Sequence, residues 1–183
     1  MLRVIVFSLL ALFVVFVIAQ SLGLTPEQIE DRILLAELNA EEGAAFRAEN
    51  AGKPGVLILE SGLQVEVLRE GGGPIPSADD WVQVHFRGWH TDGREFENSW
   101  RKDEPATVAV ARTIPGWREA LVQTPVGTRL RLVVPPQLAY GRAGGGHIGP
   151  EQTLVFELEL LAIVVPEQPV PREEWEQPVP GLR

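Results

Sequence analysis

The stretch Thr113-Ile114-Pro115-Gly116-Trp117-Arg118-Glu119-Ala120-Leu121 restricts what this chain can fold into more than any other. It follows an extended apolar run, Thr107 to Ala111, and turns through a proline and a glycine into one short predicted helix. Pro115 suits a first helical turn, where a missing N–H leaves nothing unsatisfied. Trp117 and Leu121, four residues apart, form a large apolar face, while Arg118 and Glu119 turn to water. One helix cannot bury an indole alone, so something concave has to wrap around it. Trp81 to Trp89, Leu130 to Val134 and Thr153 to Val164 read as strands rich in Val, Leu and Phe that can do so.

The rest of the chain is arranged about that unit. Met1 to Arg3 is a short basic start, and Val4 to Ala19 is a run of sixteen residues broken only by Ser8, with Val17-Ile18-Ala19 as a small-x-small cleavage site. This predicts export, with residues 1–19 as a signal peptide or an uncleaved anchor. Thr25-Pro26-Glu27-Gln28 is a capped helix start, and Ile29, Ile33, Ala36 and Ala40 recur at helical spacing. Asn39-Ala40-Glu41-Glu42 reads as a second start, predicting a break or bend before a helix that ends near Gly52-Lys53-Pro54-Gly55. Val56 to Glu60 and Leu63 to Arg69 are strand-like runs parted by Ser61-Gly62, whereas Phe96 to Pro105 is polar and irregular. Leu138 to Pro150 is too rich in glycine and proline for a helix or central strand and predicts a surface loop overhanging a site. Glu167-Gln168-Pro169-Val170-Pro171 returns as Glu176-Gln177-Pro178-Val179-Pro180, a tail whose composition favours an extended segment. It presents Val-Pro twice, as Val170-Pro171 and Val179-Pro180.

Function classes fall away by composition. A net charge of -9 argues against non-specific binding to nucleic acid or anionic lipid. With no cysteine there is neither a disulfide framework nor a thiol nucleophile. No G-x-S-x-G elbow or His-Glu-x-x-His pair occurs, and the Gly71 to Pro76 loop lacks the lysine of a phosphate cradle. His85, His90 and Asp92 invite a metal site, but an odd spacing on a strand sends the two imidazoles to opposite faces. Glu157 and Glu159 alternate outward on the last strand. What is left is an apolar pocket with few polar groups, built from Phe86, Phe96, Ile114, Trp117, Ile148 and Phe156, with Tyr140 as the lone tyrosine.

Val84-His85-Phe86, Asp92-Gly93 with Phe96-Glu97-Asn98-Ser99, Ile114-Pro115-Gly116-Trp117, Pro125-Val126-Gly127, Leu138-Ala139-Tyr140-Gly141 and Thr153 to Leu161 occur in one order and at one spacing. This ordered series resembles the FKBP family of peptidyl-prolyl cis-trans isomerases. Ala40 to Val56 and Ser61-Gly62-Leu63-Gln64 further resemble its bacterial macrophage-infectivity-potentiator type, which carries a helical segment ahead of the isomerase domain. The resemblance implies an α+β fold, an antiparallel sheet of about five strands wrapped around one short helix and preceded by a helical arm. Together with the composition of the C-terminal segment, it gives a division into arm 20–52, isomerase domain 53–165 and proline-rich acidic tail 166–183. It implies Trp117 as floor under a proline ring and Phe86, Phe96 and Phe156 as walls. The Ile114 N–H and Tyr140 hydroxyl become donors to substrate carbonyls, with Ile148 at the rim. Substrates would be unfolded or proline-containing exported polypeptides in the periplasm or another extracytoplasmic compartment. No cofactor, metal or nucleic acid is required, a macrolide ligand is admitted, and the arm is a candidate for homodimerisation. Membrane association follows only if the leader stays uncleaved.

This sequence departs from the family pattern in ways that bear on the pocket. Phe86 stands where tyrosine is common, Glu97 where aspartate is usual, Thr113 for valine and Val108 for phenylalanine, and the loop Arg142 to His147 is one residue short. A non-catalytic chaperone or scaffold using the same pocket and arm is the competing expectation, and an anchored adaptor acting through its tail is another.

Overall fold

The computed structural model describes residues 25–165; the expected leader and the repeated Glu-Gln-Pro-Val-Pro segments lie outside the described residues. Helix α1 spans Pro26–Ala51 and opens as the sequence predicts. The Thr25 hydroxyl accepts from the Gln28 N–H at 3.3 Å, and the Gln28 side chain accepts from the Thr25 N–H at 2.9 Å. The expected break at Asn39 does not occur, because the helix runs unbroken through it. Asn39 is not a cap: its side-chain amide donates out of the helix to the Pro150 carbonyl at 2.7 Å. The docked stripe is also not the apolar one. Gly43 and Asn50 are buried, whereas Ile33, Leu34, Leu35 and Leu38 are exposed. The arm's last turn is fixed by the buried Gln64, which accepts from Asn50 Nδ2 and donates to the Arg47 carbonyl, both at 2.8 Å.

The sheet has seven strands rather than about five: β1 (Val56–Ile58), β2 (Gln64–Arg69), β3 (Trp81–His90), β4 (Glu95–Asn98), β5 (Ala106–Ala109), β6 (Arg129–Val134) and β7 (Leu154–Val164). Every pairing is antiparallel, in the order β1-β2-β6-β7-β3-β4. The extra strands arise because β3 is long enough for two partners on one edge. Trp81 to Val84 pair with β5, and Arg87 to Trp89 pair with β4. Phe96 to Pro105 is therefore not wholly irregular. Polar composition hides β4, since its Glu95 and Glu97 alternate with Phe96.

Helix α2 (Pro115–Leu121) lies across the concave face. Its own Leu121, with Val82, Val84, Leu130, Leu132, Leu158 and Leu160 of the sheet, is all but fully buried between the two. Burying such side chains contributes about 1.5–3 kcal/mol each, so this layer holds the sheet's curvature. The convex face brings a correction. Glu157 points outward as the alternation requires, yet it is only 4% exposed. Arg87 Nε donates to it at 2.8 Å and Arg129 bridges it at 2.7 Å, with the Arg129 guanidinium over the Trp100 ring. A buried carboxylate between two guanidinium groups is compensated where an isolated one is not. The sequence pattern gives the strand face but not the side chains that fold over it.

Candidate active site

The concave face ends in a pocket of about 850 Å³ beside α2. Each element contributes by its register. Phe86 and Gly88 lie on the concave side of β3, and Phe156 of β7 sits directly opposite Gly88. The absence of a side chain at Gly88 makes room for two rings at once: Phe156 from β7 and Phe96 from β4. Trp117 comes up from the first turn of α2 and is 6% exposed. Phe86 and Phe156 meet its ring edge-on, with centroids at 5.0 and 5.3 Å and planes at 80° and 84°. Phe96 meets Phe156 in the same way at 5.8 Å and 85°. Edge-to-face pairs favour this geometry by about 0.5–1.5 kcal/mol beyond burial, so the four rings form a rigid apolar cup.

Polar groups around the cup are few. Ile114 is the residue before Pro115 and holds an extended backbone, φ -55° and ψ 149°. Its carbonyl accepts from the Trp117 and Arg118 N–H groups, and among the described residues no hydrogen bond uses its own N–H. Tyr140 lines the pocket and is 44% exposed, its hydroxyl unpartnered among the described residues. Glu97 lines the pocket too, its carboxylate 3.4 Å from Lys102 Nζ. With phenylalanine at 86, no phenol stands there to engage it. Val108 and Thr113 line the wall on the β5 side, and Ile148, 8% exposed, closes the loop side.

Every residue singled out from the sequence for this site thus borders one cavity. Sequence reasoning missed the wall formed by Trp81, Thr107, Ala109 and Arg112, whereas Gly145 to His147 belong to the loop expected to overhang a site. Trp81 reaches the pocket because it pairs with Ala109 of β5, a register that no local pattern announces.

His85 and His90 do lie on opposite sides of β3. His85 stacks on Trp100 at 5.4 Å and shares a 3.0 Å hydrogen bond with Ser99, whereas His90 tilts against Phe96 at 5.1 Å. Burial, and then the positive charge of Arg94, hold the His90 imidazolium below its ordinary range, partly offset by Asp92 and Gln152. Among the described residues no group of His, Asp and Glu could hold a metal ion, and no helix is long and apolar enough to cross a membrane.

Comparison with known proteins agrees with this geometry. Residues 73–161 match the family model for FKBP-type peptidyl-prolyl cis-trans isomerases, and residues 19–67 match that for the domain amino-terminal to it. The chain is 48% identical over 126 residues to the FKBP-type 22 kDa peptidyl-prolyl cis-trans isomerase of Escherichia coli, covering 68% of this chain and 61% of that one. It is 42% identical over 129 residues to the outer membrane protein MIP of Legionella longbeachae, covering 70% of this chain and 55% of that one. The matched segment therefore spans only about half to three-fifths of these relatives. The crystal structure of FkpA from Escherichia coli superposes with a TM-score of 0.68 at 32% identity, covering 84% of this chain and 81% of that one. A peptidyl-prolyl cis-trans isomerase from Pseudomonas syringae gives 0.66 at 37%, covering 71% and 96%. With the aromatic cup, the sheet order and these likenesses in agreement, the chain belongs to the FKBP-type peptidyl-prolyl cis-trans isomerase family.

Proposed function

We propose that this protein catalyses cis-trans isomerisation of X–Pro bonds in other polypeptides. The observation that carries the proposal is the cup of Trp117, Phe86, Phe96 and Phe156, with two unengaged donors at its edge, the Ile114 N–H and the Tyr140 hydroxyl. Rotation about a prolyl bond breaks no covalent bond; its barrier of about 18–20 kcal/mol is largely lost amide resonance. A twisted amide carries less charge separation than a planar one, so a dry apolar wall disfavours the planar ground state more than the transition state. Each 1.36 kcal/mol of that difference is about tenfold in rate. In this scheme the proline ring rests on Trp117, and the two donors hold the flanking carbonyls while the bond turns. Glu97, Val108, Thr113 and Ile148 shape the cavity around the neighbouring residues. No acid, base or nucleophile takes part.

Several finer points belong to the same proposal. The apolar leader at 1–19 supports export to the periplasm or another extracytoplasmic compartment, where uncatalysed isomerisation, at tens of seconds or more, limits folding. The chain divides into arm 20–52, isomerase domain 53–165 and tail 166–183. The exposed run Ile33, Leu34, Leu35 and Leu38 supports pairing of two arms in a homodimer. Val108 and Phe86 change the cavity relative to the family pattern and so bear on macrolide affinity more than on turnover. The decisive experiment is a protease-coupled prolyl-peptide assay on wild type and Trp117→Ala. Turnover in wild type and its collapse in the folded variant support the proposal. Peptide binding without acceleration would favour a chaperone or scaffold instead.

A further inference from the structure

The segment between Tyr140 and Leu154 walls one side of the pocket without strand pairing. It contains glycine at 141, 144, 145, 146 and 149, then Pro150, and it pairs with no strand. Ordering so many glycines is entropically costly. Within the segment the restraints are short-range: Gly145 and Ile148 exchange two backbone hydrogen bonds of 2.9 Å, and the Glu151 N–H donates to the Gly141 carbonyl at 3.0 Å. One side of this loop faces the pocket through Gly145, His147 and Ile148. The other side faces the arm across a cleft of about 660 Å³ that Asp31, Arg32 and Leu35 also line.

The longer-range ties come from the arm. Asn39 Nδ2 donates to the Pro150 carbonyl at 2.7 Å, Arg32 donates to the Ala143 carbonyl, and Arg47 donates to the Thr153 hydroxyl. Residues 32, 39 and 47 lie about two turns apart, so one stripe of α1 follows the loop from its start to its end. Gly43 sits on that stripe, buried, with Thr153 where any side chain would stand. A mid-helix glycine costs about 1 kcal/mol relative to alanine. Here it lets the helix come close enough for Asn39 to reach Pro150.

We propose that Asn39 is a positioning residue for the pocket. By holding the Pro150 carbonyl it keeps the 143–150 loop folded inward, with Ile148 against the cup. This rests on the prolyl-isomerase reading for its kinetic consequence, but its structural consequence does not. If the tie is cut, the loop samples open states, and substrate must close it on binding. The apparent affinity then falls by the closed fraction, while the chemistry in the closed complex is unchanged.

The test uses full-length protein carrying Asn39→Ala or Asn39→Asp. Alanine is the better helix former, so a defect in Asn39→Ala comes from the lost tie and not from a weakened helix. Aspartate keeps the shape but cannot donate. Both variants should open the loop about two- to tenfold more often, the range of one neutral hydrogen bond, and raise KM for a prolyl peptide by up to that factor, with kcat close to wild type. Hydrogen exchange at the Gly145 and Ile148 amides should quicken by a similar factor, while the β3 and β7 amides keep wild-type protection. Wild-type KM together with wild-type loop exchange would overturn the proposal. Faster exchange spread equally over the whole sheet would overturn it as well, showing a general loss of stability. Absence of turnover in wild type would fail the isomerase reading alone, since exchange still reports on the loop.

Discussion

Gly88→Ala tests how the pocket is built. A methyl carbon at Gly88 would lie 2.5 Å from Phe96 Cζ and 2.8 Å from Phe156 Cε1, where ordinary contact begins near 3.4 Å. The rings must therefore yield by 0.9 and 0.6 Å on that scale. Neither has a free retreat: Phe96 is backed by His90 at 5.1 Å, and Phe156 by Trp117 at 5.3 Å. Overpacking of this kind costs about 1–3 kcal/mol of stability. Displacing two pocket walls by most of an ångström also spoils the fit to a turning proline, and misplacement on the order of 1 Å can cost about a hundredfold in rate. We expect a urea midpoint lowered accordingly with an unchanged slope, and kcat/KM reduced about tenfold or more in the protease-coupled assay. A variant with wild-type stability and turnover would refute the packing described for these rings.

Tyr140→Phe should lower kcat/KM only about two- to tenfold, the worth of one neutral hydrogen bond, without lowering stability, because the hydroxyl has no partner among the described residues. Complete loss of turnover in a folded protein would contradict an orienting role. His90 makes a pH prediction. Its folded value lies below its ordinary 6.5, so its contribution to stability is whole above that value and is lost as pH falls from there through the depressed one. His90→Phe, which keeps a ring against Phe96, should flatten that decline; urea midpoints at about pH 7.5 and 5.5 that fall equally in both proteins would refute it. Last, Val164, at the end of β7, is the register partner of Trp81, which lines the pocket, so the described residues end on a strand beside it. Full-length Pro171→Ala/Pro180→Ala should then show a lower KM if the tail competes with substrate, and an equal KM if it does not.

The helix-and-sheet unit was legible because its information is local. Pro115 at a helix start, Trp117 and Leu121 on one face, and alternation in β3 need only neighbours a few residues apart. The pocket residues were legible through the ordered resemblance, since a lone Phe or Trp in such a pattern is otherwise read as core. What escaped depends on register or on distant partners. Trp81 enters the site by pairing with Ala109, and β4 exists because β3 outlasts β5. Glu157 is buried by side chains from β3 and β6. Asn39 illustrates the same limit. By itself, asparagine ahead of Ala-Glu-Glu is a helix start; its actual partner is the Pro150 carbonyl, 111 residues away.

The account rests on one claim, that the aromatic cup turns a prolyl bond and does not merely hold it. Exchange spectroscopy on an X–Pro peptide at equilibrium, with a small amount of full-length protein, measures this without a coupling protease. The account predicts cis-trans exchange accelerated well beyond its uncatalysed rate, at an unchanged cis-to-trans ratio, and acceleration lost in Trp117→Ala. Peptide resonances that broaden or shift on binding while the exchange rate stays at its uncatalysed value would contradict it.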